Sequence, residues 1–275
     1  MPLSFRPLSP VIGAEALGFD PRHFSDDERD QFKAAWLQHL VMLIRTPKVL
    51  SDDEFVALMS RLGTIENARK LSPLSSRIEV MIISNIRENG QLVGALPDGE
   101  LSFHYDRAHQ KKPTRASALH AIEIPDRGGE TCFANMCLAY DTLADDIKQQ
   151  IDGKQALNTY EYGATHAEAK KLDDDAPSAL HPVVRTIPET GRKALFVARL
   201  MTDKILDLPD VESRRLLNVI ADHCEQPRFA YEHHWQVGDI LMWDNRCATH
   251  ARKDFDASQR RLMKRIALAD SVVPA

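Results

Sequence analysis

Four cysteines in 275 residues, Cys132, Cys137, Cys224 and Cys247, include no C-x-x-C pair. That absence argues against a zinc ribbon and gives no disulfide framework, so the thiols are read as reduced and mostly buried. Long apolar runs are missing too: no stretch approaches a membrane span, and MPLSFRPLSP lacks a positive segment followed by an apolar one. The expectation is a cytoplasmic chain with no membrane partner. Basic charge is not in excess, with 35 Lys and Arg against 40 Asp and Glu and a formal net charge of −5, so no nucleic-acid partner is expected. No internal repeat or linker-like composition interrupts the sequence. Residues 1–275 are therefore read as a single domain with one core, since 43% hydrophobic and 27% charged content lie near globular averages.

Elements are well signalled. Two capping boxes, Ser25 to Glu28 and Ser51 to Glu54, open helices, and Phe32, Trp36 and Leu40 recur every four residues on the face the first would bury. Short apolar segments predict strands at LVMLIRT, EVMIISNI, SALHAIEIP, ETCFANM, RKALFVAR, DILMWD and RRLMKRIALAD. Apolar residues at i+4 spacing predict further helices from about Met136 to Ile151 and from Val211 to Cys224. The Gly-, Asn- and Pro-rich stretch at about 87–101 reads as a loop and a candidate lid; the charged, aperiodic stretch at about 160–180 reads as a variable insertion. Many short strands with peripheral helices predict a mainly β fold (α+β) around a double-stranded β-helix, the cupin-like jelly roll, whose mouth can hold a metal.

Two segments carry the chemistry, FHYD (103–106) and WDNRCATH (243–250). His104 and Asp106 are two apart, so on a strand they leave the same face, and His250 is placed to close a set of two histidines and one carboxylate from a distant strand. That is the ligand set of a mononuclear non-haem iron(II) site. A bare HxD is common, and context adds Arg261, eleven residues after His250, whose planar fork suits a dicarboxylate. A solvated basic cluster with Arg260, Lys264 and Arg265 is the bland alternative. His120, His181, His233, His234, Cys247 and Trp243 are read as structural.

These motifs, together with PLSPVIGAEALGFD, GGETCFANMCLAYDTL, HPVVRTIPETGRKALFV and RRLMKRIALAD, make the chain resemble the taurine dioxygenase (TauD/TfdA-like) family of Fe(II)/2-oxoglutarate-dependent oxygenases over nearly its whole length. The resemblance implies that His104, Asp106 and His250 hold Fe(2+), while Arg261 and Thr131 bind the distal carboxylate of 2-oxoglutarate. It implies O2 as co-substrate, release of succinate and CO2, and hydroxylation of a small, anionic substrate, which becomes cleavage where the hydroxylated carbon bears oxygen, sulfur or nitrogen. Desaturation or cyclisation, and a catalytically silent binding protein, are the alternatives. Asp106 speaks against a halogenase. Arg265 matches a position that holds a substrate anion, or else makes a salt bridge, with Asp244 or Asp270 as partners. A homo-oligomer, dimer or tetramer, is also implied.

The chain departs from the family pattern at Phe103, at Tyr105, over Ala198 to Met201, and in GTIENARK, which has no histidine; taurine is thus a poor substrate. Tyr105, Asn85, His109, Arg199 and Met201 are the candidates for a reshaped pocket.

Overall fold

A computed structural model of the chain describes residues 2–68, 71–96, 99–160 and 176–274. The predicted insertion lies largely at 161–175, outside the described residues. The architecture is mainly β with few helices. An eight-stranded sheet runs in the order Ser4–Pro7, Ala14–Leu17, Val41–Arg45, Asp239–Asp244, Ala116–Glu123, Leu262–Leu268, Ile65–Glu66, with Met81–Ser84 also paired to Leu262–Leu268. A four-stranded sheet runs Ala230–His233, Thr131–Asn135, Ala248–Arg252, Leu101–His104. Their pairings are antiparallel apart from Ala14–Leu17 beside Val41–Arg45, which is parallel.

The strand Asp239–Asp244 shows why the large sheet reads as continuous apolar runs. Its alternate residues serve two cores: Leu241 and Trp243 join one that includes Phe133 and Ala248 of the smaller sheet, whereas Ile240 and Met242 join another built on helical residues. A strand covered on both faces loses the polar alternation of a half-exposed one. The second core is closed by the helices Asp26–His39 and Asp52–Leu62, through Phe32, Trp36, Phe55, Leu58 and Met59. Both helices begin at complete capping boxes, Ser25 with Glu28 and Ser51 with Glu54. Each box satisfies backbone donors that the first turn leaves open. Leu40 ends the first helix as its C-cap in a left-handed conformation, φ 66°, so it belongs to the turn into the next strand.

The expected helix from Met136 to Ile151 is two helices, Met136–Asp141 and Asp145–Ile151. The Thr142 hydroxyl donates back to the Leu138 carbonyl at 2.9 Å, and Asp145 and Asp146 favour a fresh N-terminus through the helix dipole. RKALFVAR is strand only at Lys193–Leu195, with the Phe196 amide adding one further bond to the Val183 carbonyl in the same register.

Candidate metal centre and co-substrate site

Antiparallel pairing sets His250 directly opposite His104, with imidazole centroids 4.1 Å apart. Asp106 follows two residues later, and donor atoms of His104, Asp106 and His250 all lie within 4.8 Å of one another. All three residues are buried. The structure thus gathers one side chain from each of three separate sequence positions around a point able to hold a divalent cation.

Neighbours fix each donor. Nδ1 of His104 lies 2.9 Å from the Ser102 carbonyl, which places the proton there and the lone pair on Nε2. Trp243 and Phe133 pack on the His250 ring at centroid distances of 4.5 and 6.3 Å. The Asp106 backbone is clamped by one side chain: its amide donates to Asn245 Oδ1 at 2.8 Å, and Asn245 Nδ2 donates to the Asp106 and Thr114 carbonyls at 3.0 and 2.7 Å. On the carboxylate, Oδ2 receives the Ser117 hydroxyl at 2.6 Å and Arg265 Nη2 at 2.7 Å, while Oδ1 accepts nothing among the described residues.

Electrostatics agree with metal ligation. Burial pushes His104 and His250 below the ordinary imidazole value, and the charge of Arg265 adds to this, so both rings are neutral donors at neutral pH. Burial alone would raise the Asp106 carboxyl, but the Arg265 guanidinium above all, with the Ser117 hydroxyl, holds it well below the usual range. The set carries the protonation states that a metal requires.

Beside it lies a buried cation. Arg261 is 2% exposed, yet its Nε has no hydrogen-bond partner and no carboxylate pairs with it among the described residues. Burial, and next the like charge of Arg252, pulls its guanidinium below the ordinary value. It packs against Phe255 and a glycine turn: a β-carbon at Gly129, where φ is +73°, would lie 3.2 Å from Arg261 Nε. Two residues on, the buried Thr131 hydroxyl accepts from Trp235 Nε1 at 3.1 Å, leaving its own proton to be donated. A buried guanidinium without an anion is unfavourable by itself, so this pocket suits a ligand carboxylate. The donor set therefore fits both an iron(II) ion and 2-oxoglutarate.

Arg265 reaches the metal carboxylate, whereas Asp244 pairs with Arg246 and Asp270 with Arg185. A cavity of about 920 Å³ opens beside Asp106 and Arg265, with His109, Met81, Ile82 and Val93 in its lining. Four other sequence candidates lie elsewhere. Tyr105 turns to the face opposite its neighbours, donating to the Leu195 carbonyl at 2.5 Å. Met201 is packed in the same core. Arg199 is ion-paired to Asp222 and Glu225. Asn85 donates to the Ala257 and Gln259 carbonyls and accepts the Arg261 amide, so it shapes the turn that delivers Arg261. Sequence reasoning passed over Asn245, Ser117, Trp235 and Arg107; only Asn245 sat inside a motif already singled out.

The model of the taurine catabolism dioxygenase TauD, TfdA family matches residues 4–267. An alpha-ketoglutarate-dependent 2,4-dichlorophenoxyacetate dioxygenase from Cupriavidus pinatubonensis is 31% identical, over 97% of this chain and 98% of its own. An (S)-phenoxypropionate/alpha-ketoglutarate-dioxygenase from Sphingobium herbicidovorans is 30% identical, over 94% and 91%. The solved structure of AAD-2 in complex with Mn(II) and N-oxalylglycine superposes with a TM-score of 0.85 at 26% identity, covering 100% of this chain and 99% of that one. With a triad and an orphaned arginine in place and the family model spanning nearly all of it, the chain belongs to the taurine catabolism dioxygenase TauD, TfdA family and is an iron(II)- and 2-oxoglutarate-dependent dioxygenase.

Proposed function

We propose that this dioxygenase hydroxylates a small organic acid with an apolar body, and cleaves it where the hydroxylated carbon carries a heteroatom. The observation that carries the proposal is the cavity beside Asp106: Met81, Ile82, Leu92, Val93 and Ala95 supply apolar wall, and Arg265 stands at its metal end. The acids named for the two relatives, phenoxypropionate and 2,4-dichlorophenoxyacetate, have this combination of ring and carboxylate.

In this reading His104, Asp106 and His250 hold iron(II), and Arg261 with the Thr131 hydroxyl grips the distal carboxylate of 2-oxoglutarate. Once bound, the metal and co-substrate supply oxidative decarboxylation to succinate and CO2 together with oxidation of a C–H bond. The chain's own part is placement. Ser117 and Arg265 hold the Asp106 carboxylate, Asn245 sets its backbone, and the apolar lining orients the substrate carbon while excluding water. The two sheets are taken to form the jelly-roll core of a single domain. The loop at about 87–101 is read as its lid from its described residues: Glu88, Asn89 and Gln91–Ala95 line the cavity, and Arg252, two residues past His250, donates to the Leu96 and Gly99 carbonyls at 2.7 and 2.5 Å.

Anaerobic addition of iron(II) and 2-oxoglutarate to the apoprotein is expected to produce the visible charge-transfer band of a chelated 2-oxo acid. Succinate release would then be measured across aryloxy and alkyl carboxylates. A folded, metal-loaded protein without the band would refute the site assignment; a band without acid-dependent succinate would refute the substrate class.

A further inference from the structure

The residue after the metal carboxylate, Arg107, has a backbone that a side chain rarely adopts, φ +55°. The left-handed region is unfavourable for a non-glycine residue, and it persists where surrounding contacts over-determine it. Here the contacts are those of Asn245, which holds both the amide and the carbonyl of Asp106. The outcome is that Arg107 lines the cavity shared by Asp106 and Arg265. Its guanidinium is tethered through Nη1 to Glu66, whose carboxylate also lies 3.4 Å from the Thr114 hydroxyl. Nε and Nη2 have no partner among the described residues.

Arg265 stands in contrast. Its Nη2 is shared between Asp106 Oδ2 at 2.7 Å and the Ser117 hydroxyl at 2.9 Å, and its Nη1 rests on the Met81 sulfur at 3.8 Å. An anion approaching Arg265 meets a carboxylate already in place, and like charges that close repel. Arg107 also has a carboxylate in place, that of Glu66 on Nη1, but its Nε and Nη2 edge is left open among the described residues, and that edge can receive a second carboxylate bidentately.

We infer that Arg107 is the specificity-determining anchor for the substrate's carboxylate, and that Glu66 is its resident counter-ion, lowering affinity for acids by occupying one edge of the guanidinium. This rests on the dioxygenase reading above and narrows it to monoanionic acids bound with the charged end beside the metal and the apolar body toward Leu71, Leu92 and Val93. Arg265 then serves chiefly to position Asp106.

The test compares acids with their neutral amides, for example 2-phenoxypropionate with 2-phenoxypropanamide, across a panel of aryl and alkyl carboxylates. Binding is read from the shift each compound causes in the iron(II)–2-oxoglutarate charge-transfer band. In the unmodified protein at least one acid is expected to bind ten-fold or more tightly than its amide. Arg107→Gln should erase that preference, Arg107→Lys should keep part of it, and Glu66→Gln should widen it several-fold. A purely structural ion pair predicts the opposite pattern, with Arg107→Gln and Glu66→Gln weakening acid and amide alike. That result, or no acid preference in the unmodified protein, overturns the inference. If the band never forms, the dioxygenase reading has failed first, and the two failures are told apart by that spectrum.

Discussion

Replacing Arg261 by methionine should have opposite effects on the ligand-free and ligand-bound protein. The side chain is 2% exposed, lacks a carboxylate partner among the described residues and sits near a second buried cation, Arg252. An uncompensated buried charge is destabilising, and exchanging it for an apolar side chain of similar length is commonly neutral or stabilising by about 1–4 kcal/mol. At the lower end this raises the melting temperature of the apoprotein by roughly 2–4 °C for a chain of this size class. With 2-oxoglutarate the sign reverses. Losing one charge-assisted, bidentate contact to a buried carboxylate costs about 3 kcal/mol, on the order of a hundred-fold in affinity. Metal-loaded wild-type protein gains about 2.7 kcal/mol at a 2-oxoglutarate concentration one hundred times its dissociation constant, and the variant at that concentration gains only a few tenths. Thermal melts of apo and loaded protein, with and without 2-oxoglutarate, measure all four corners. An Arg261→Met apoprotein that melts lower, yet keeps the co-substrate-induced rise, would show that the arginine is structural and the carboxylate is held elsewhere.

Three further outcomes follow from named contacts. Ser117→Ala removes the 2.6 Å donor to Asp106 Oδ2 and should weaken iron(II) about ten-fold while leaving the fold intact, as measured by metal titration. Asn245→Ala removes three buried hydrogen bonds to the Asp106 and Thr114 backbones and should cost about 2–4 kcal/mol in denaturant unfolding, with metal affinity falling in parallel. His120 is buried against Phe55 and takes the Leu50 amide at Nε2, 3.4 Å away; burial, then the nearby Lys264 and Arg22, depress its imidazole to about 4. Because the folded-state value lies below the unfolded one, the protein loses stability as pH falls from about 6.5 to about 4, by about 3 kcal/mol in all. His120→Gln should flatten that part of the stability–pH curve, and an unchanged slope would show that another group is responsible.

Local periodicities were legible from the chain alone. The capping boxes at Ser25 and Ser51 act within four residues, and the HxD spacing picked out His104 and Asp106, although the strand ends at His104 and Asp106 reaches the same point from the turn that follows. Tyr105, the first residue past that strand, turns into the core, where it donates to the Leu195 carbonyl and packs 4.4 Å from Phe196; proximity in sequence had suggested a pocket residue. Antiparallel register, not sequence, set His250 opposite His104, and made Asn245, 139 residues from Asp106, the clamp on its backbone. Ser117 and Arg107 look unremarkable in sequence because a hydroxyl in an apolar strand and an arginine in a loop acquire a role only from what the fold puts beside them. The family pattern placed an arginine at 261 and another at 265; desolvation made the first an orphaned cation, while a 2.7 Å contact joined the second to the metal carboxylate. Residue types and spacings state which chemistry is available, since they act through covalent geometry over a few residues. Burial and long-range pairing choose which of those groups are charged, which are satisfied and which face the cavity, since those properties depend on neighbours that only the folded chain supplies.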